Sequence, residues 1–378
     1  MDPVSRVVRR AAASAVLVLS VASCGGQYGP SARVLGGPCR HGEVFRVATV
    51  GAATIRCEMV EGTSIHSADP ATAARFEWTV VGPDEVALGA VTGQSVRADG
   101  SSTLAPMMTV AARYFENMSV SINGNEAVRL AVGVSGTGGG FEKFCRGETD
   151  LSNASRRIKE SESELCRERG VDFEEFLVAL DGLAVVVNHD NDWASCLTME
   201  ELGAIWGPDS TLGSWAQVRE GFPDEPLRLF GAGTDSGTFD SFSELVGGSA
   251  KALRKDVDTS EDDNVTVRGV SSAVGGIGYF GLSYAVENAD AVRAVAVDAG
   301  DGCTEPVESS VQDGSYPLAR PLYVYAKVAS VRGKPGVGAF LEFLARHSEQ
   351  IAHDAQFVPL DGDDADEFVR RTAALRGA

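Results

Sequence analysis

Long apolar runs are scarce in this 378-residue chain. Only Ala11–Ala22 is largely apolar throughout, and a helix needs roughly 20 such residues to cross a bilayer. Histidine is rare, with five scattered residues, and no C-x-x-C occurs, so a zinc site has no ligand framework. There is no Walker A sequence and no repeat at a solenoid period. Base is in deficit: 33 Lys+Arg stand against 53 Asp+Glu, for a formal charge of −20. That excludes a general binder of nucleic acid or anionic membrane, because both would be repelled. A small anionic ligand stays open, since a pocket can be locally positive. What is present is ordinary for a globular protein, with 44% hydrophobic and 23% charged residues. The length fits about two domains. Glycine is abundant at 43 residues, and its clusters guide the reading.

Arg6, Arg9 and Arg10 precede the apolar run, and Val21-Ala22-Ser23-Cys24 follows its core. A basic stretch, an apolar stretch and small residues mark a secretory signal. A cysteine directly after them resembles the bacterial lipobox. Residues 1–23 are therefore expected to be a signal peptide and Cys24 the lipidation site. The alternative is an ordinary signal with Cys24 incidental. Residues 24–42, rich in Gly, Pro and Ser, read as a tether. The protein is expected to be exported and lipid-anchored at the bacterial cell membrane, on its periplasmic or extracellular face. Removing residues 1–23 takes away three Arg and one Asp, so −20 becomes −22. Six further cysteines in the oxidising compartment expected of an exported protein predict three disulfides, with 15 pairings open. The pairing Cys39–Cys57, Cys145–Cys166 and Cys196–Cys303 keeps each bridge within one structural unit.

Residues 43–93 contain short β-like runs at Val44–Val50, Thr54–Val60, Phe76–Val81 and Val86–Val91, read as a small β-rich extension. Strands then alternate with helices, which implies an α/β fold with largely parallel sheets. Phe176–Asn188 is a long apolar run broken by Asp181-Gly182. Thr198 followed by Glu201 signals a capping box that opens a helix to Trp206. Val337–His347 and Asp366–Leu375 read as amphipathic helices.

Three loops share one chemistry: Asp99-Gly100-Ser101-Ser102-Thr103, Ser135-Gly136-Thr137-Gly138-Gly139-Gly140 and Thr234-Asp235-Ser236-Gly237-Thr238. Each follows a β-like run and precedes a helix. Glycine permits close approach of a ligand, hydroxyls donate, and the first amides of a helix lack internal partners. Converging, such ends would bind an anion with little formal charge. Taken singly, Ser, Thr and Asp there are ordinary caps. Asp150-Leu151-Ser152-Asn153-Ala154-Ser155-Arg156-Arg157 adds cations. Arg156 either grips an oxyanion or pairs with Glu160 or Glu162. Gly276-Ile277-Gly278-Tyr279-Phe280-Gly281 matches G-x-G-x-x-G without a suitable βαβ unit. Asp235-Ser236-Gly237-Thr238 has no second copy to form an aspartic dyad. None of the five histidines falls in a known triad order. The chain reads as a non-enzyme without cofactor or metal.

The ordered set 99–103, 136–141, 150–156, 235–238 and Gly275–Tyr279 resembles the phosphate-binding proteins of bacterial ABC phosphate transporters. Tyr316-Pro317-Leu318-Ala319-Arg320-Pro321 resembles that family's return strand. The resemblance covers roughly 95–360 and leaves 25–93 aside. It implies a two-lobed periplasmic-binding-protein fold (type II) with two hinge crossings, lobe one at 94–184 plus 318–378 and lobe two at 185–317. It implies a monomer that binds inorganic phosphate between the lobes and docks on an ABC permease. Carried over, Ser102, Thr103, Thr137 and Gly138 receive the anion from one lobe, and Ser236, Gly237 and Thr238 close from the other. Ser155 stands where relatives have an aspartate that accepts from protonated phosphate. Ala232 stands where they have an arginine. Arg156 is expected to supply that charge, and Asp235 or Asp181 the acceptor. The alternatives are another tetrahedral oxyanion such as sulfate, a surface sensor or adhesin on the same fold, and a hydrolase.

Overall fold

The structure is a computed structural model that describes residues 33–377, apart from 51, 61–62, 64, 66–72, 94, 235 and 249–251. Cys24, expected to be lipidated, the expected signal peptide at 1–23, and Asp235 lie outside the described residues. The chain opens with three antiparallel strands, β1 (Val47–Val50), β2 (Ala53–Met59) and β3 (Phe76–Val80), then helix α1 (Pro83–Gly89). The expected run Val86–Val91 is thus helical, not extended. Pro83 follows the N-cap Gly82, and Asp84 and Glu85 sit in the first turn. A preset φ and acidic groups at the positive helix end override β-branched residues.

There follow β4 (Ser95–Gly100), α2 (Ala105–Asn123), β5 (Arg129–Val134), α3 (Gly136–Cys145), β6 (Leu151–Ala154), α4 (Glu160–Glu168) and β7 (Phe173–Val187). The next segment holds β8 (Cys196–Thr198), α5 (Met199–Trp206), β9 (Arg228–Ala232), α6 (Gly237–Gly247), β10 (Asp258–Ser260), α7 (Asp263–Ser272), β11 (Gly276–Gly281) and α8 (Leu282–Glu287). Short strands β12 (Arg293–Ala294), β13 (Ala296–Asp298) and β14 (Cys303–Thr304) lead to α9 (Glu308–Gln312). The chain ends with β15 (Ala319–Lys327), α10 (Val328–Gly333), α11 (Pro335–Arg346), α12 (Ser348–Asp354) and α13 (Gly362–Arg376).

The main sheet runs β10-β9-β11-β7-β15-β6-β4-β5, with β12 also on β7. Strand β7 belongs to both lobes. Its first part pairs with β15, and Leu183–Val187 pair with β11. The polar interruption at Asp181-Gly182 does not end the strand, which passes through it as one of the crossings. Both crossings lie side by side there, with Arg320 opposite Asp181 and the Leu183 amide donating to Leu318 O at 2.9 Å. Pairing is parallel at β4–β5, β4–β6, β9–β10 and β9–β11, and antiparallel where β7 meets β15 and β11. The sheet is therefore mixed rather than largely parallel, because the crossing strands run against the βα units. The Gly276–Gly281 motif is itself a buried strand, not a phosphate loop. The capping box forms as read: Glu201 N donates to Thr198 Oγ1 at 3.1 Å, and Thr198 N to Glu201 Oε2 at 2.8 Å. All three disulfides form in the pairing read from the sequence. Among the described residues no helix is long and apolar enough to cross a membrane.

The amino-terminal sheet is not a separate body. Val44, Phe45, Ile55, Trp78 and Leu88 share one apolar core with α2, β15 and α11. Phe45 packs against Tyr114, Phe343 and His347 with ring centroids 4.7–5.0 Å away, and Arg56 covers its face. Its φ of 63° is left-handed, a strain of about 1–3 kcal/mol that full burial of the ring offsets. Polar groups close the seam. Glu85 accepts from His347 Nε2 at 2.9 Å and pairs with Arg56 Nη1 at 2.9 Å. Burial pushes His347 below the usual histidine range. The hydrogen bond from His347, helped by the Arg56 charge, holds Glu85 at about 2 against an ordinary 4.5 and outweighs its own burial.

A folded value below the unfolded one means that Glu85 stabilises the fold fully above about 4.5 and loses that contribution as pH falls toward about 2. Thermal unfolding followed between those pH values is expected to show falling midpoints, and Glu85→Gln a lower but flatter profile across the same window.

Candidate functional site

The expected loops converge where the two lobes meet, at the carboxyl ends of β4, β5, β6 and β9. Asp99, at the end of β4, ties two of them together. Its Oδ1 accepts from Ser135 Oγ at 2.5 Å and its Oδ2 from Lys143 Nζ at 2.6 Å. Those bonds hold its carboxyl below the usual range despite burial. The second glycine cluster is not a loop before a helix. Gly136–Gly140 form the first turn of α3 itself. A Cβ on Gly140 would sit 2.5 Å from Gly100 Cα, so glycine there lets α3 press against the end of β4. The capping reading of Ser236 holds as well: its Oγ accepts from Phe239 N at 3.0 Å. A Cβ on Gly237 would lie 2.6 Å from Thr103 Cα, so the start of α6 touches the first loop directly across the lobes.

That contact divides the expected residues between two cavities. The smaller, about 240 Å³, is lined by Ser101, Ser102, Thr103, Gly136, Thr137, Gly138, Ser155 and Arg156, with Asp240 and Glu244 of α6 on the opposite wall. The larger, about 550 Å³, takes Ser236, Gly237, Thr238 and Asp181, shares Ser102 and Thr103, and also holds Glu261 and Asp263. Burial beside Asp262 and Glu261 pushes Asp263 up to about 6. Six of the nine expected ligand residues thus line the smaller cavity, and the other three lie beyond the Thr103–Gly237 contact.

In the smaller cavity Thr137 Oγ1 and Ser155 Oγ are 3.1 Å apart, and Ser155 N donates to Thr137 Oγ1 at 3.2 Å. Ser102 Oγ donates to Asp240 Oδ2 at 2.8 Å. Arg156 forks onto Glu162, with Nη1 to Oε2 at 2.9 Å and Nη2 to Oε1 at 2.7 Å. Its positive charge is thereby already balanced, as one of the two readings had it. The amino ends of α2 and α3 add amides with no partner inside their helices. The site is therefore rich in neutral donors and poor in free positive charge.

Two residues of the junction escape sequence reasoning. Arg320, at the start of β15, is buried with 10% of its side chain exposed. Its Nε reaches Asp181 Oδ2 at 3.3 Å, Nη1 reaches Glu244 Oε2 at 2.6 Å, and Nη2 reaches Thr103 Oγ1 at 2.7 Å and Ser241 Oγ. It stands inside the return-strand motif, but no local spacing links it to Asp181, 139 positions away. Asp240 is the second. Its Oδ1 is buried without a hydrogen-bond partner among the described residues. Asp181, one of the two expected acceptors, is already engaged: its Oδ2 accepts from Ser241 Oγ at 2.7 Å and from Arg320. The other, Asp235, lies outside the described residues.

Known proteins share this architecture and sequence. A family model described as a PBP superfamily domain matches residues 85–348. Protein SphX of Synechococcus elongatus is 43% identical over 269 residues, 70% of this chain and 77% of that one. The phosphate-binding protein PstS of Staphylococcus saprophyticus is 38% identical over 275 residues, 72% of this chain and 82% of that one. The crystal structure of a possible phosphate binding protein from Planctomyces limnophilus, 40% identical, superposes with a TM-score of 0.70 over 75% of this chain and 99% of that one. A layout of two α/β lobes, paired crossings and glycine-hydroxyl helix starts at their junction, joined to identity on this scale, is shared descent: the chain belongs to the PBP superfamily, in the family of the SphX and PstS proteins.

Proposed function

We propose that this protein binds inorganic phosphate in the smaller cavity between its lobes and delivers it to an ABC permease, without catalysis. One observation carries the reading. Thr103, Thr137, Ser155 and Arg156 face Asp240 across a cavity of about 240 Å³ at the lobe junction of a chain in this family. Ser102, Thr103, Thr137 and Ser155 supply hydroxyls, and Gly138 leaves the backbone of α3 open to an oxyanion. Arg156 adds charge-assisted bonds once the anion competes with Glu162. Ser236, Gly237 and Thr238 join from the second lobe as α6 shifts over Thr103. The named relatives include a phosphate-binding protein, which supports the same ligand.

Asp240 is the acceptor in this reading. Its unpartnered oxygen needs a hydrogen donor, and a buried acceptor left unpaired costs about 1–3 kcal/mol. Phosphate at neutral pH still carries a proton and donates it as P–OH. Sulfate is fully ionised, has nothing to donate, and meets the carboxylate as like charge. Asp240 thereby takes the part expected of Asp181 or Asp235. In the same reading Cys24 carries the lipid that keeps the monomer at the outer face of the cell membrane, where several acyl chains hold more firmly than one.

Calorimetry with both anions is expected to show tight phosphate binding and weak sulfate binding. No phosphate heat, or equal affinities, overturns the reading. Thr137→Val and Arg156→Ala are each expected to weaken phosphate by about tenfold or more. Unchanged affinity in both moves the site elsewhere. Asp240→Asn is expected to narrow the gap between the two anions, with phosphate weakened and sulfate strengthened. Preserved discrimination in that variant removes Asp240 from the role.

A further inference from the structure

Among the described residues, Arg320 is the one guanidinium that touches both lobes and their crossing at once. It holds Asp181 on the neighbouring crossing strand, Thr103 in lobe one, and Ser241 and Glu244 on α6 of lobe two. Three of these partners are buried. Glu244 is different: 46% of its side chain is exposed, and it lines the smaller cavity beside Thr103, Ser155 and Arg156. Glu244 on Nη1 and Thr103 on Nη2 both line that cavity, so the guanidinium lies directly behind its wall, and the carboxylate on Nη1 is itself an oxyanion. Meanwhile the charges around the cavity do not favour an anion. Arg156 is cancelled by Glu162, Arg320 by Asp181, and Asp240 and Glu244 remain.

An anion entering this cavity meets Glu244 as a rival for the same donor. A tetrahedral oxyanion held by Thr103, Thr137 and Ser155 brings more charge and more acceptor oxygens to a planar fork than one carboxylate does. Glu244 has solvent to retreat into; Asp181, at 8% exposure, does not. We propose that Glu244 is a resident counter-anion of the empty cleft, held on Arg320 in the ligand's place and displaced when the oxyanion arrives, so that Arg320 joins the ligand set only after the exchange. The inference rests on the phosphate reading above. It explains how a deeply buried arginine stays satisfied in the empty protein without a permanent gap in its hydrogen bonding. It also makes weak anions poor ligands, since each must first outcompete a tethered carboxylate.

The test measures inorganic phosphate affinity by calorimetry and association rate by stopped flow in the full mature chain. Glu244→Gln keeps the shape, and its half-exposed position keeps the fold. Phosphate is expected to bind this variant about tenfold more tightly, the scale of one charge-assisted bond no longer contested, and to associate faster. Wild-type binding with an equal or weaker Glu244→Gln overturns the proposal and leaves the phosphate reading standing. Absence of phosphate binding in both proteins overturns both. Arg320→Lys keeps the charge and loses the fork. In that background the gain from Glu244→Gln is expected to shrink to less than half. A gain that persists undiminished means that Glu244 acts as general repulsion rather than on Arg320, which also overturns the proposal. If Arg320→Lys does not fold, the association rates of wild type and Glu244→Gln decide alone.

Discussion

A buried guanidinium has to be satisfied on every side, and the junction of the two lobes is organised around one. Arg320 stands where the crossings run together, opposite Asp181 in the β7–β15 register. Removing either partner would strand a charge in a site with about a tenth of its surface open, at a cost of several kcal/mol. The remaining arms draw in Thr103 from one lobe and α6 from the other. The close contact of Gly237 with Thr103 lies at the same junction. The lobes are thus positioned by polar bonds at the junction, and each keeps an apolar core of its own.

The same economy shapes the candidate site. The chain carries a formal charge of −20, yet the walls facing the lobe junction are built from hydroxyls, helix-start amides and cations already balanced by carboxylates. Net charge and local recognition act on different length scales. Screening confines the field of the acidic surface to about 10 Å, whereas a fixed donor acts at contact distance.

The amino-terminal sheet shows how a segment outside the common fold becomes part of it. Phe45 enters between α2 and α11, and Glu85 fastens the next helix to His347 and Arg346. The Cys39–Cys57 bridge then limits how far this sheet can open. What reads as an extension in sequence is a covering layer for a helix pair whose outer face is apolar.

The three disulfides, the capping box at Thr198, the hydroxyl-glycine helix starts and the order of motifs are all legible in the chain, because each depends on short spacings or on pairing within a unit. Val86–Val91 reads as a strand because β-branched residues obscure a Pro83-led helix start, and Gly136–Gly140 reads as a loop because glycine hides a first turn. Sequence by itself determined the family, the two α/β lobes, and the hydroxyl-glycine character of the loops at the lobe junction, because those are written in local pattern. Only the tertiary structure decided which groups meet. It took Arg320 to Thr103 across 217 residues and Asp240 to Ser102 across 138, engaged Asp181, and paired Arg156 with Glu162. A charge buried at a lobe junction is satisfied by whatever the fold brings there, and no spacing along the chain encodes that partner.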